Sequence, residues 1–214
     1  MINTFTDFFT FIWNPKLGKD PNKNIFYRIK VLTILLAFSF CVAFFLLIVV
    51  GMLTAIGLIE QSEHVFDDLF ERNSLLRIFF LASIIAPIFE ELIFRAPLTI
   101  FKSPLVLFKN PIKLFKREII LRKKPLVLFK NSKVFKIAFF SFALLFGYVH
   151  ITNFEISTNV LLFSPILVAP QIYLGLLLGY LRVRFGLIWS ILMHGVYNGI
   201  LVSISFLAFD ALKQ

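Results

Sequence analysis

The run Ala86-Pro87-Ile88-Phe89-Glu90-Glu91-Leu92-Ile93-Phe94-Arg95 sets two carboxylates and a guanidinium inside an apolar stretch. Residues 78–89 carry no charge, and neither do residues 96–101. Together they are long enough to cross a bilayer, for which about 20 apolar residues suffice. A charge near the centre of a lipid-crossing helix costs roughly 3 kcal/mol on insertion scales. Charges survive there by pairing with one another or by doing chemistry, and this run has enough of them for both.

The rest of the chain supports a membrane setting. Of 214 residues, 59% are hydrophobic, 17% aromatic and 16% charged, and mean hydropathy is +0.88. A soluble domain carries about 25% charged residues. The composition therefore predicts an all-α, polytopic transmembrane bundle. Cys41 is the single cysteine, so no intramolecular disulfide forms. The net charge of +10 does not indicate nucleic acid, because the basic residues cluster in segments that alternate with apolar runs, as cytoplasmic loops do.

Taken in order, residues 1–30 read as an amphipathic, Phe-rich cytoplasmic tail with a short docking helix before Pro15. The integral bundle then occupies residues 31–214. Residues 31–59 are free of charge and are too long for a signal-peptide core, so they are expected to remain as the first crossing. Residues 60–77 form an acidic connector, and the second crossing is expected over 75–101. Residues 102–136 carry eleven Lys/Arg against one Glu. Within them Pro104-Leu-Val-Leu-Phe-Lys-Asn110 recurs as Pro125-Leu-Val-Leu-Phe-Lys-Asn131. This basic loop is expected to lie on anionic lipid headgroups. Further crossings are expected over 137–154, over 156–181 with a break at Pro165 and Pro170, and over 187–209. The Gly175–Gly179 pair suggests close helix packing. The alternation of basic and acidic connectors predicts five crossings, with the N-terminus cytoplasmic and the C-terminus external.

Three of these crossings carry polar groups. Glu91 and Arg95 stand four residues apart and can pair along the helix. Glu90 is turned by about 100° from Glu91, which leaves it as the carboxylate without a local partner. Phe146 and His150 share a face on the third crossing, as His194 and Asn198 do on the fifth. A desolvated Glu can act as general base toward water. His and Asn can donate to the oxyanion of a tetrahedral intermediate. Two His and one Glu also form a common zinc-hydrolase ligand set, so Glu90, His150 and His194 are candidate ligands for a divalent metal such as zinc. No local His-Glu-x-x-His motif signals one.

In order and approximate spacing, Glu-Glu-x-x-x-Arg (Glu90, Glu91, Arg95), Phe-x-x-x-His (Phe146, His150) and His-x-x-x-Asn (His194, Asn198) resemble the CAAX protease and bacteriocin-processing (CPBP, or Abi) family of intramembrane endopeptidases. The stretch from Gly175 to Arg182 is similar as well, and the resemblance spans about residues 75–201. It implies peptide-bond hydrolysis in the membrane. By position Glu90 would activate water and His150 would help to hold it, His194 and Asn198 would form the oxyanion site, and Glu91, Arg95 and Phe146 would support them. The family commonly has eight crossings and this chain offers about five, so a homodimer would be one source of the missing wall. The implied substrate is a membrane-associated peptide or protein. A metal-free mechanism is the preferred one. The competing expectations are a non-catalytic immunity or scaffold protein of the same fold and a small ion- or proton-coupled transporter.

Overall fold

The structure, a computed structural model, describes residues 2–58, 70–99 and 132–212. All regular structure within them is helical. Helix α1 is Ile2–Trp13 and α2 is Ile25–Ala55. Helix α3, residues 75–94, is continuous but changes pitch: α-helix Leu75–Phe80, one π-helical stretch Leu81–Ile85, then α-helix Ala86–Phe94. Then come α4 (Ser132–Val149), α5 (Thr158–Leu167), α6 (Ala169–Arg184) and α7 (Leu187–Leu212).

Among the described residues, four helical runs are long and apolar enough to cross a membrane: Ile25–Ala55, Ser132–Asn153, Thr158–Arg184 and Leu187–Ala211. The chain is an integral membrane protein. The remaining expected crossing corresponds to α3, which has the length but also carries Arg77, Glu90 and Glu91. It ends at Phe94, not near residue 101, and a 3-10 turn Ala96–Thr99 follows. Pro97 accounts for this early stop, because it has no N–H to give to Ile93 O, four residues back, and the α-helical ladder cannot continue through it. Most of the basic loop expected over residues 102–136, with both copies of the repeat, and most of the acidic connector lie outside the described residues; residues 132–136 of that loop belong to α4.

The expected break in the fourth crossing falls at Val168, between α5 and α6, with Pro170 in the first turn of α6. Small residues let α6 seat against α4. A Cβ on Gly175 would stand 3.1 Å from the Ala143 backbone, and one on Gly179 would stand 2.7 Å from the Phe139 ring. Gly147, on α4, backs onto Ile172 in the same way. The chain reverses between α6 and α7 at Gly186, whose φ of +112° suits glycine.

Helix α1 is a docked part of the bundle. Phe8 and Phe11 are buried and meet the Tyr180 ring edge-on, each at 5.3 Å. The Tyr180 hydroxyl donates to Asp7 at 2.7 Å, and Arg184 donates to the other oxygen of Asp7 at 3.2 Å. Lys136 Nζ donates to the Trp13 carbonyl at 3.2 Å. The core runs through α1, α2, α4, α6 and α7, and α3 lies against α7 at its edge.

Candidate active site

The site begins with Pro87. Having no N–H, Pro87 cannot donate to Ser83, four residues back, or to Ala82, five back. The helix responds by widening: the Ala86 N–H reaches five residues back to Leu81 O. Downstream of this turn, Glu91 points into the bundle and Glu90 stands at its rim. Glu91 is 0% exposed and Glu90 28%.

Glu91 is the hub. Its Oε1 lies 3.6 Å from Arg95 Nε along the helix and 3.1 Å from His194 Nδ1 across to α7. Its Oε2 accepts from the Ser190 hydroxyl, and that same Ser190 Oγ lies 3.1 Å from Leu178 O. A carboxylate fully removed from water needs this much satisfaction, since a buried charge left unpaired costs several kcal/mol (~3–5). Arg95 is equally buried, at 1% exposed. Its guanidinium carbon sits 3.9 Å from the centroid of the Phe146 ring, a cation–π contact.

Glu90 lacks such support within its helix. Its Oε2 is buried, has no hydrogen-bond partner among the described residues, and stands 3.6 Å from His194 Nε2. His194 is thus held between two carboxylates, with Nδ1 facing Glu91 and Nε2 facing Glu90. The Phe146 ring packs against His194 at 5.6 Å and against His150 at 4.8 Å. His150 opens a 3-10 turn at the end of α4, where its Nδ1 donates to Phe146 O at 2.7 Å. Asn198, one turn beyond His194, donates from Nδ2 to Ala82 O at 3.0 Å.

Glu90, Glu91, Arg95, Phe146 and His194 therefore meet where α3, α4 and α7 converge, and Asn198 stands one turn along α7 from His194, on Ala82 O. His150 joins them only through Phe146. Among the described residues no three His, Cys, Asp or Glu side chains form a group able to hold a metal ion. Glu90, His150 and His194 are not assembled as a ligand set, so the arrangement does not fit the zinc-type site.

Two residues escaped the sequence reading. Ser190 lies one turn before His194, so the face of α7 reads Ser190, His194, Asn198; the i, i+4 spacing was there to see. Arg182, at the end of the Gly175–Arg182 stretch, has no role in the sequence reading. It is 8% exposed, in the last turn of α6. Its Nε donates to Arg95 O at 3.1 Å and its Nη2 to Ala96 O at 3.4 Å. These are carbonyls just past the end of α3, and the first of them also accepts from the Leu98 N–H at 3.2 Å.

Residues 72–200 match the family model described as Rce1-like type II CAAX prenyl endopeptidase. No curated protein and no solved structure matches the chain.

Proposed function

The chain belongs to the Rce1-like family of type II CAAX prenyl endopeptidases, which are CAAX-type intramembrane proteases, and on that premise we propose that it hydrolyses a peptide bond in a membrane-associated peptide or protein by a Glu90-dependent, metal-free route. The observation that carries this reading is the Glu90 carboxylate oxygen, buried, without a hydrogen-bond partner among the described residues, and 3.6 Å from His194 Nε2. That separation exceeds a hydrogen bond. One water at about 2.8 Å from each atom would contact both.

The chemistry then follows from the groups at that point. Glu90 takes a proton from the water as its oxygen attacks the scissile carbonyl carbon. The carbonyl oxygen becomes an oxyanion and is met by His194 and by the second N–H of the Asn198 amide, the first being given to Ala82 O. Glu90 returns the proton to the leaving amine as the C–N bond breaks. Glu91, held by Arg95 and Ser190, orients His194, and Phe146 packs His194 and His150 in place. With three ligands not assembled, the reading carries no step through a metal ion.

The test is to incubate the purified protein with a set of membrane-proximal peptides, prenylated and unprenylated, and to follow cleavage by mass spectrometry. At least one peptide is expected to be cut at a single bond. A chain of this fold that cuts none of them is a scaffold or immunity protein, not a protease.

For orientation, the proposal is a cytoplasmic N-terminus and an external C-terminus, supported by the charge of the connectors. It requires α3 to cross along with the four apolar runs. A reporter fused after residue 214 should then read as external. A cytoplasmic signal would mean four crossings, with α3 entering the membrane without traversing it.

A further inference from the structure

The π-helical stretch in α3 does more than accommodate Pro87. It leaves two carbonyls, Ala82 O and Ser83 O, without a donor from Pro87, in the helix proposed above as a crossing. Helix α7 is built to meet both. Asn198 Nδ2 donates to Ala82 O at 3.0 Å. Gly195 lies so close that a Cβ there would stand 2.5 Å from Ser83 O. One turn on, a Cβ on Gly199 would stand 3.2 Å from Ser83 Oγ and 3.3 Å from the Phe79 ring. In an unbroken α-helix the Ala82 and Ser83 carbonyls would be occupied along the axis, and Asn198 would find no acceptor there.

Gly195 and Asn198 follow His194 directly and one turn later on α7. Whatever sets the height of Asn198 against Ala82 also sets where His194 meets Glu90, two turns further along α3. We infer that Pro87, the π-helical stretch and Asn198 form a latch that fixes the register of α7 on α3, so that Asn198 is a positioning residue for the Glu90–His194 pair as well as a neighbour of the oxyanion. π-Helical turns recur at functional sites, and here the turn has a mechanical task. It exposes backbone acceptors that a side chain from the opposing helix can grip, where no solvent competes for them.

The experiment uses two variants whose catalytic side chains are all intact. Pro87→Ala returns an N–H that can bond Ser83 O, drawing the turn toward α-helix and loosening the latch. Removing a helix-interior proline is expected to hold or raise the thermal midpoint. Gly195→Ala pushes α7 off the turn sterically. Gly51→Ala, on α2 with nothing within 4 Å of its Cβ, is the control. The first readout is the imidazole 15N spectrum of histidine-labelled protein in detergent, where three histidines, His64, His150 and His194, give the signals. The second is peptide turnover, and that arm alone rests on the proposed protease reading.

The His194 signal is expected to move in Pro87→Ala and Gly195→Ala, in the direction seen for Glu90→Gln, and to stay put in Gly51→Ala. Turnover is expected to fall by about a hundredfold through kcat with KM little changed, as for a misplacement of about 1 Å. A His194 signal that stays at its wild-type position in folded Pro87→Ala overturns the inference, as does wild-type kcat in that variant. If Gly195→Ala does not fold, Pro87→Ala alone decides. Should the wild type cut no peptide while the His194 signal still shifts, the latch stands and the protease reading is what fails.

Discussion

Replacing Glu90 by Gln is expected to lower turnover by about a thousandfold, within the range that a lost general base produces, while the protein stays folded. The two side chains have the same shape, so packing at the rim of the site is kept. The amide cannot take a proton from water at neutral pH, so the nucleophile is no longer generated. Stability changes little because Glu90 gives up little: its buried oxygen has no hydrogen-bond partner among the described residues, and its contact with His194 is a long one of 3.6 Å. A contact of this kind at a partly exposed position contributes about 1 kcal/mol or less. The check pairs initial rates on a cleaved peptide with thermal unfolding in detergent. Turnover retained in a folded Glu90→Gln protein would remove Glu90 from the reaction and, with it, the metal-free mechanism.

That Glu91 pairs with Arg95 while Glu90 is left without a partner in its helix was legible in the sequence, because an α-helix fixes the angle between neighbours and the i, i+4 spacing joins Glu91 to Arg95. The apolar runs were legible for a similar reason, since the bilayer demands length and apolarity of any crossing helix. What escaped was tertiary. Nothing local in Gly175-Leu-Leu-Leu-Gly-Tyr-Leu-Arg182 says that Arg182 turns inward to hold the carbonyls just past the end of α3. The end of α3 was in fact signalled by Pro97, and apolarity beyond it concealed the stop. The π-helical stretch could not be read at all. Pro87 inside an apolar helix is compatible with a kink, a break or a widened turn, and only the Asn198 amide and the Gly195 backbone opposite select among them. The same holds for His150, which spacing alone brings to Glu90 but which the Phe146 carbonyl holds one ring away.

Glu91 should behave in the reverse manner. Changing it to Gln is expected to destabilise the protein by about 3–5 kcal/mol, the cost of leaving a buried partner charge uncompensated. Arg95 is the charge left behind. It is 1% exposed, its Nη1 and Nη2 have no hydrogen-bond partner among the described residues, and Glu91 is its carboxylate at 3.6 Å. The Phe146 ring beneath it cannot neutralise it. Activity would fall too, because His194 Nδ1 loses the anion that holds it at 3.1 Å, but it would fall together with folding. The double variant Glu91→Gln with Arg95→Met separates the causes. If the penalty is the unpaired cation, removing that cation recovers most of the lost stability, and a double-mutant cycle gives a coupling of about 0.5–3 kcal/mol. It does not recover turnover, since His194 still lacks its anchor. A folded, fully stable Glu91→Gln single variant would show that Arg95 finds its counter-charge elsewhere. The pair would then be a bystander, and the orientation of His194 would have to come from Ser190, Phe146 and the Asn198 latch alone.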